Sequence, residues 1–134
     1  MPITRLKIFF DGGCRPNPGP IEAAVVARGV THFFDDLGHG TNNDAEWLAL
    51  IAALRVVHML GVSDFVLLGD SAVVIAQAKH IQKCRTSALQ AHLNTFEGIG
   101  GIRPVQIRKI ARSQNLAGIA LDQRRNATGI ARTA

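Results

Sequence analysis

The chain has 134 residues, the length of one ordinary domain with a single core. It is 47% hydrophobic and 19% charged, which excludes a disordered chain, and no apolar run approaches the roughly 20 residues of a membrane span. Fifteen Lys and Arg against ten Asp and Glu give a formal charge of +5, an excess that favours a polyanionic partner without identifying it.

The excess is concentrated from Arg103 onward, where Arg103, Arg108, Lys109, Arg112, Arg124, Arg125 and Arg132 face a single acid, Asp122. This stretch is the expected contact with nucleic acid, with about eight residues at the end as a flexible basic tail. Cys14 and Cys84 form no CxxC pair, so neither a zinc site nor a disulfide framework is expected. The opening MPITRLKIFF turns at once into an alternating run and does not read as a signal peptide. A single soluble, cytoplasmic, monomeric domain over 1–134 is expected, with no membrane contact and no obligatory protein partner.

In chain order, residues 4–10 alternate Leu6, Ile8 and Phe10 with Arg5, Lys7 and Phe9, the pattern of a strand. Asp11-Gly12-Gly13 and the Pro/Asn/Gly cluster from Pro16 to Pro20 form a turn signal. Residues 21–28 and 30–36 read as two further strands, giving an antiparallel meander. Thr41, three residues before Asp44, is a variant capping box ahead of Trp47, Leu48, Ile51, Leu54, Val57 and Leu60, which carry a long helix to Gly61. Residues 65–69 are a continuous apolar run that suits a strand buried on both faces. It ends at Asp70-Ser71, and helices are expected over 72–80 and 86–97, the second broken by Gly98, Gly100 and Gly101. A strand over 104–111 and a closing helix over 114–125 complete an α/β domain with a mixed sheet.

Three acids hold unusual positions. Asp11 ends the first strand, Asp70 ends the buried strand, and Glu46 lies at the start of the long helix. If the two strands are parallel neighbours, both aspartates emerge at one sheet edge, where open α/β sheets bind ligands. Clustered carboxylates repel unless protons or cations compensate, and hard oxygen donors suit Mg²⁺ or Mn²⁺. Two such ions, roughly 3.5–4 Å apart, suit hydrolysis of a phosphodiester. Taken singly, each acid has a simpler meaning: Asp11 as a turn residue, Asp70 as part of a helix cap, Glu46 as a first-turn acid facing the helix dipole.

The residues around them make the set specific. Asp11-Gly12-Gly13 with Asn17-Pro18-Gly19-Pro20, then Thr41-Asn42-Asn43 with Glu46, then Asp70-Ser71, resemble in this order the motifs of the ribonuclease H family, type 1. A weaker match at Arg112-Ser113-Gln114-Asn115 extends the resemblance over nearly the whole chain. The resemblance implies a ribonuclease H-like fold: a five-stranded mixed sheet in the order 3-2-1-4-5 with helices on both faces. It implies hydrolysis of the RNA strand of an RNA–DNA hybrid with two Mg²⁺ ions (Mn²⁺ as the substitute), leaving 3′-hydroxyl and 5′-phosphate ends. Asp11, Glu46 and Asp70 would be metal ligands. Gly12, Gly13, Cys14, Asn17 and Asn43 would touch the hybrid near its minor groove, where the 2′-hydroxyl marks RNA.

Three departures bear on activity. The family's fourth carboxylate falls at Ile119, four residues after Asn115, and Asp122, one turn further along the helix, is the expected substitute. Asn115 is the weaker candidate, as a neutral ligand or water-holder. The histidine that some relatives carry before the last helix is absent; Arg112 and Gln114 occupy that loop. The chain over 72–103 is also too short for the basic protrusion of some relatives, making this a short form, with Lys79, Lys83 and Arg85 as a smaller counterpart. Two alternatives accompany the nuclease: a catalytically weakened nucleic-acid-binding module of the same fold, and a nuclease of the same superfold with another substrate.

Overall fold

A computed structural model describes residues 5–101 and 104–133, without the side chains of 128–133. Arg103 and the Arg132 side chain, counted in the basic stretch, lie outside the described residues, as do most side chains of the expected tail. The strands are β1 (Leu6–Cys14), β2 (Gly19–Ala27), β3 (Val30–Phe34), β4 (His39–Gly40), β5 (Phe65–Gly69) and β6 (Ile107–Lys109). The helices are α1 (Asn42–Leu60), α2 (Ala72–Ala78), α3 (Ser87–Gly100) and α4 (Leu116–Thr133), with a 3₁₀ turn at Arg112–Gln114. Among these helices none is long and apolar enough to cross a membrane.

The sheet order is β3-β2-β1-β5-β6, with the two-residue β4 paired to the start of β2. Leaving β4 aside, this is the expected 3-2-1-4-5 arrangement. β1 runs antiparallel to β2 and parallel to β5, and β5 runs parallel to β6. Side chains of β1 and β2 alternate between two cores, as the period of a strand requires. Ile8, Phe10, Ala23, Val25 and Ala27 join α1 on one face, while Phe9, Ala24 and Val26 meet Ala117 and Leu121 of α4 on the other.

Local signals set the ends of α1. Thr41 Oγ1 accepts from the Asp44 amide and Asp44 Oδ2 accepts from the Thr41 amide, completing the capping box. Gly61 ends the helix in the left-handed region at φ 68°. Other boundaries differ from the expected ones. β1 continues past Asp11 to Cys14, because Gly12, Gly13 and Cys14 pair with Ala23, Glu22 and Ile21. α3 passes through Gly98 and Gly100 and stops only at Gly101. The last strand is three residues long, and α4 continues well beyond 125.

The single tryptophan anchors the larger core. Trp47 is fully buried, and its indole N–H donates to Gln77 Oε1 at 2.8 Å, joining α1 to α2. Its rings lie 6.1 Å from Phe96 and 6.5 Å from His92, both on α3. Trp47→Phe should lower unfolding stability by about 2 kcal/mol or more, since it strands the buried Gln77 amide and shrinks the packed ring. In urea titrations, Trp47→Phe with Gln77→Leu should lose less than the sum of the single variants; strict additivity would show that the bond contributes nothing.

Candidate active site

Asp11 lies on β1 just beyond the last rung shared with β5, Phe9 opposite Leu68. Asp70 follows Gly69 at the end of β5, so the parallel pairing brings both carboxylates to one sheet edge. Glu46 comes from the second turn of α1. It arrives because the helix start presses on β1: a Cβ on Gly12 would sit 2.2 Å from the Ala45 carbonyl oxygen, which only glycine avoids. The Gly12 amide donates to Glu46 Oε1 at 2.7 Å. One oxygen from each of Asp11, Glu46 and Asp70 lies within 4.8 Å of the others.

Asp11 and Glu46 are 6% and 8% exposed, and the Asp70 side chain 13%. Burial, followed by the negative charge of Asp11, pushes the Glu46 carboxyl from its ordinary 4.5 up to about 9. Burial also raises Asp11, from 3.8 to about 6, against a hydrogen bond with Glu46 that lowers it. The pair therefore shares a proton, with Glu46 as its main holder. Beyond that shared proton, buried Glu46 Oε2 has no hydrogen-bond donor among the described residues. An orphaned oxygen in an all-carboxylate, hard-donor set fits a divalent cation, which would take the place of the shared proton.

Other residues hold this arrangement. Asn115 is fully buried; its Nδ2 donates to Asp70 Oδ2 and to the Phe10 carbonyl, both at 3.0 Å, and its Oδ1 accepts from the Ala117 amide. Its polar atoms are thus spent on fixing Asp70 and starting α4, and a direct touch on a bound strand would require breaking those bonds. Asn42, which the sequence did not single out, accepts from the Cys14 amide, while its own amide donates to Asn17 Oδ1. The amides of Gly12 and Cys14, expected to face a ligand, are therefore occupied inside the protein. Asn43 is exposed and lines the pocket over the carboxylates, together with Gly13, Arg15, Arg112 and Arg125. Arg112 Nη1 lies 3.9 Å from Asp70 Oδ1.

Asp122 stands outside the tight cluster, though its charge helps to raise Asp11. The α4 residue facing the carboxylates is Gly118, whose Cβ would lie 3.4 Å from Asp11 Oδ2; Ile119 is 38% exposed. Arg125 of the pocket wall was legible only as general basic charge, because long-range packing brings it there.

Three clustered carboxylates at a sheet edge, walled by arginines, give this α/β domain a donor set that fits a divalent cation. The RNase H family profile matches residues 4–99. The chain belongs to the ribonuclease H family. It is 40% identical over 82 residues to ribonuclease HI of Halobacterium salinarum, a match covering 54% of this chain and 39% of that protein. The matched stretch thus spans about two fifths of that relative's length. The fold is similar to the crystal structure of RNase H1 from the same archaeon, with a TM-score of 0.77 at 31% identity, covering 90% of this chain and 99% of the other. It is also similar to LC11-RNase H1 in complex with an RNA/DNA hybrid, with a TM-score of 0.73 at 29% identity, covering 84% of this chain and 89% of the other.

The shared proton gives a prediction. Between pH 4.5 and about 9 the folded protein keeps a proton that the unfolded chain has lost, so stability without metal should fall as pH rises through that window. Tm measured against pH in EDTA should show this slope, and Glu46→Gln should flatten it. Mg²⁺ binding near neutral pH should release protons, read by calorimetry in buffers of different ionisation enthalpy. No release, with a flat wild-type profile, would mean that the carboxylates share no proton.

Proposed function

We propose that this chain is an endoribonuclease that hydrolyses the RNA strand of RNA–DNA hybrids, leaving 3′-hydroxyl and 5′-phosphate ends. The observation that carries the proposal is the trio of buried Asp11 and Glu46 with half-buried Asp70, gathered within 4.8 Å under an arginine-walled pocket. Asp11, Glu46, Asp70 and Asp122 would hold two Mg²⁺ ions, or Mn²⁺ in their place. When bound, such a pair activates a water and offsets the charge developing on the leaving oxygen.

The chain's own groups prepare that site. The Gly12 amide fixes the orientation of Glu46, and Asn115 that of Asp70. Arg15 and Arg112 offset the repulsion between the carboxylates and an incoming phosphate. Asn43 and Gly13 line the pocket; together with Asn17, which accepts from the neighbouring Asn42 amide, they would meet the ribose edge, where the 2′-hydroxyl separates RNA from DNA. Gly12, Cys14 and Asn115 contribute by holding neighbouring residues in place.

Asp122 as fourth ligand draws support from Gly118. That glycine faces Asp11 and leaves room beside it, and Asp122 follows one helical turn later. The competing view, a binding module with weakened catalysis, draws on Ile119 at the position of the family's fourth carboxylate.

Cleavage of a labelled hybrid, with single-stranded RNA, duplex RNA and duplex DNA as controls, tests the proposal. Cutting should be confined to the RNA of the hybrid and stop in EDTA. Asp11→Asn and Asp70→Asn should each lose more than the roughly 100-fold typical of an outer partner of a metal site. Near-wild-type rates in both would remove the carboxylates from the reaction. Asp122→Asn should also cut slowly; unchanged turnover would leave it a structural role. A folded wild-type protein that binds hybrid but does not cut it would establish the binding module instead.

A further inference from the structure

We propose that Arg125 of α4 is a substrate-contacting residue that binds a backbone phosphate of the nucleic acid strand passing over Gly13. The inference rests on the nucleic-acid partner proposed above, although not on cleavage itself. Arg125 lies far from every motif in the sequence, yet it lines the same pocket as Asp11, Glu46 and Asp70. Two features show that it is built into this position.

The first is its anchor. Arg125 Nε donates to Glu22 Oε1, and Glu22 stands opposite Gly13 in the β1–β2 register. The carboxylate therefore holds one edge of the guanidinium beside the strand end that follows Asp11. The second is its fit against glycine. Arg125 Nη2 would lie 2.8 Å from a Cβ on residue 13, so a larger residue would displace the guanidinium. This Nη2 is buried and has no hydrogen-bond acceptor among the described residues. A donor in that state is costly unless water or a ligand completes it.

The ligand chemistry follows from the surroundings. A carboxylate trio repels a polyanion, so a strand drawn over it needs a fixed cation nearby. Arg125 keeps 17% of its side chain exposed, on a pocket wall shared with Arg15 and Arg112. A guanidinium with one edge held by a carboxylate presents the other to a phosphate with little further ordering. Glu22 acts through Arg125 and is a positioning residue.

The test is binding of an RNA–DNA hybrid in EDTA, which keeps it separate from turnover, over a series of salt concentrations. Arg125→Gln should weaken binding by about tenfold and reduce the slope of log Kd against log salt by about one. Arg55→Gln, on the exposed side of α1, should change neither. Arg125→Lys keeps the charge and tests the fork: the slope should return while affinity stays below wild type. Glu22→Gln should weaken binding without changing the slope. If Arg125→Gln does not fold, the lysine variant decides, and wild-type affinity there overturns the phosphate fork. Wild-type affinity and slope in Arg125→Gln would overturn the proposal while leaving the nuclease intact. Hybrid binding without cleavage in the wild type would overturn the nuclease and leave Arg125 to be judged on its binding data.

Discussion

Three carboxylates crowded into a poorly hydrated sheet edge repel one another, and the structure is arranged around that conflict. Asp11 and Asp70 are brought together by the parallel pairing of β1 and β5. Glu46 is forced in beside them because Gly12 lets the first turns of α1 lie against β1. Burial makes Glu46 hard to ionise, and the neighbouring charge of Asp11 adds to it, which is why Glu46 is raised so far. The same desolvation that is unfavourable without a cation would favour binding one, since only a positive charge or protons relieve it.

Precision at the site comes from short connections at the head of α1. Asn42 is bonded to Cys14 on β1 and to Asn17 in the following turn, and Cys14 Sγ lies near the Gly40 carbonyl. Asp44 completes the cap and accepts from His92 of α3 at 3.0 Å, so the second layer of helices is tied to the same turn. The motif stretch from Thr41 to Glu46 thus serves helix initiation, strand attachment and carboxylate placement at once. Positioning of this kind lets a side chain hold its geometry without help from substrate.

Charge around the cluster is divided by function. Arg124 is taken up by Glu22 and Asp35 and lies 4.2 Å over the Phe33 ring, where it ties α4 to the sheet. Its neighbour Arg125 turns toward the pocket. Adjacent arginines of the same helix therefore share Glu22 as an anchor, yet only Arg125 of the two lines the pocket.

Local information determined much of this protein. The capping box at Thr41 and the left-handed stop at Gly61 set α1 because their bonds span only a few residues. The apolar run at 65–69 identified a buried strand from its own composition, although its ladder bonds go to β1 and β6, and the ordered motifs around Asp11, Glu46 and Asp70 pointed to a shared edge. Tertiary structure decided what depends on distant partners. β1 extends through two glycines because β2 supplies the pairing, and α3 runs through Gly98 and Gly100 although propensity favours an earlier break. Asn115 became the holder of Asp70, Gly118 the residue facing Asp11, and Arg125 a wall of the pocket. None of these three placements is encoded by neighbours in sequence, because each arises where α4 meets groups distant in the chain, 45 residues away for Asn115 with Asp70 and 103 for Arg125 with Glu22.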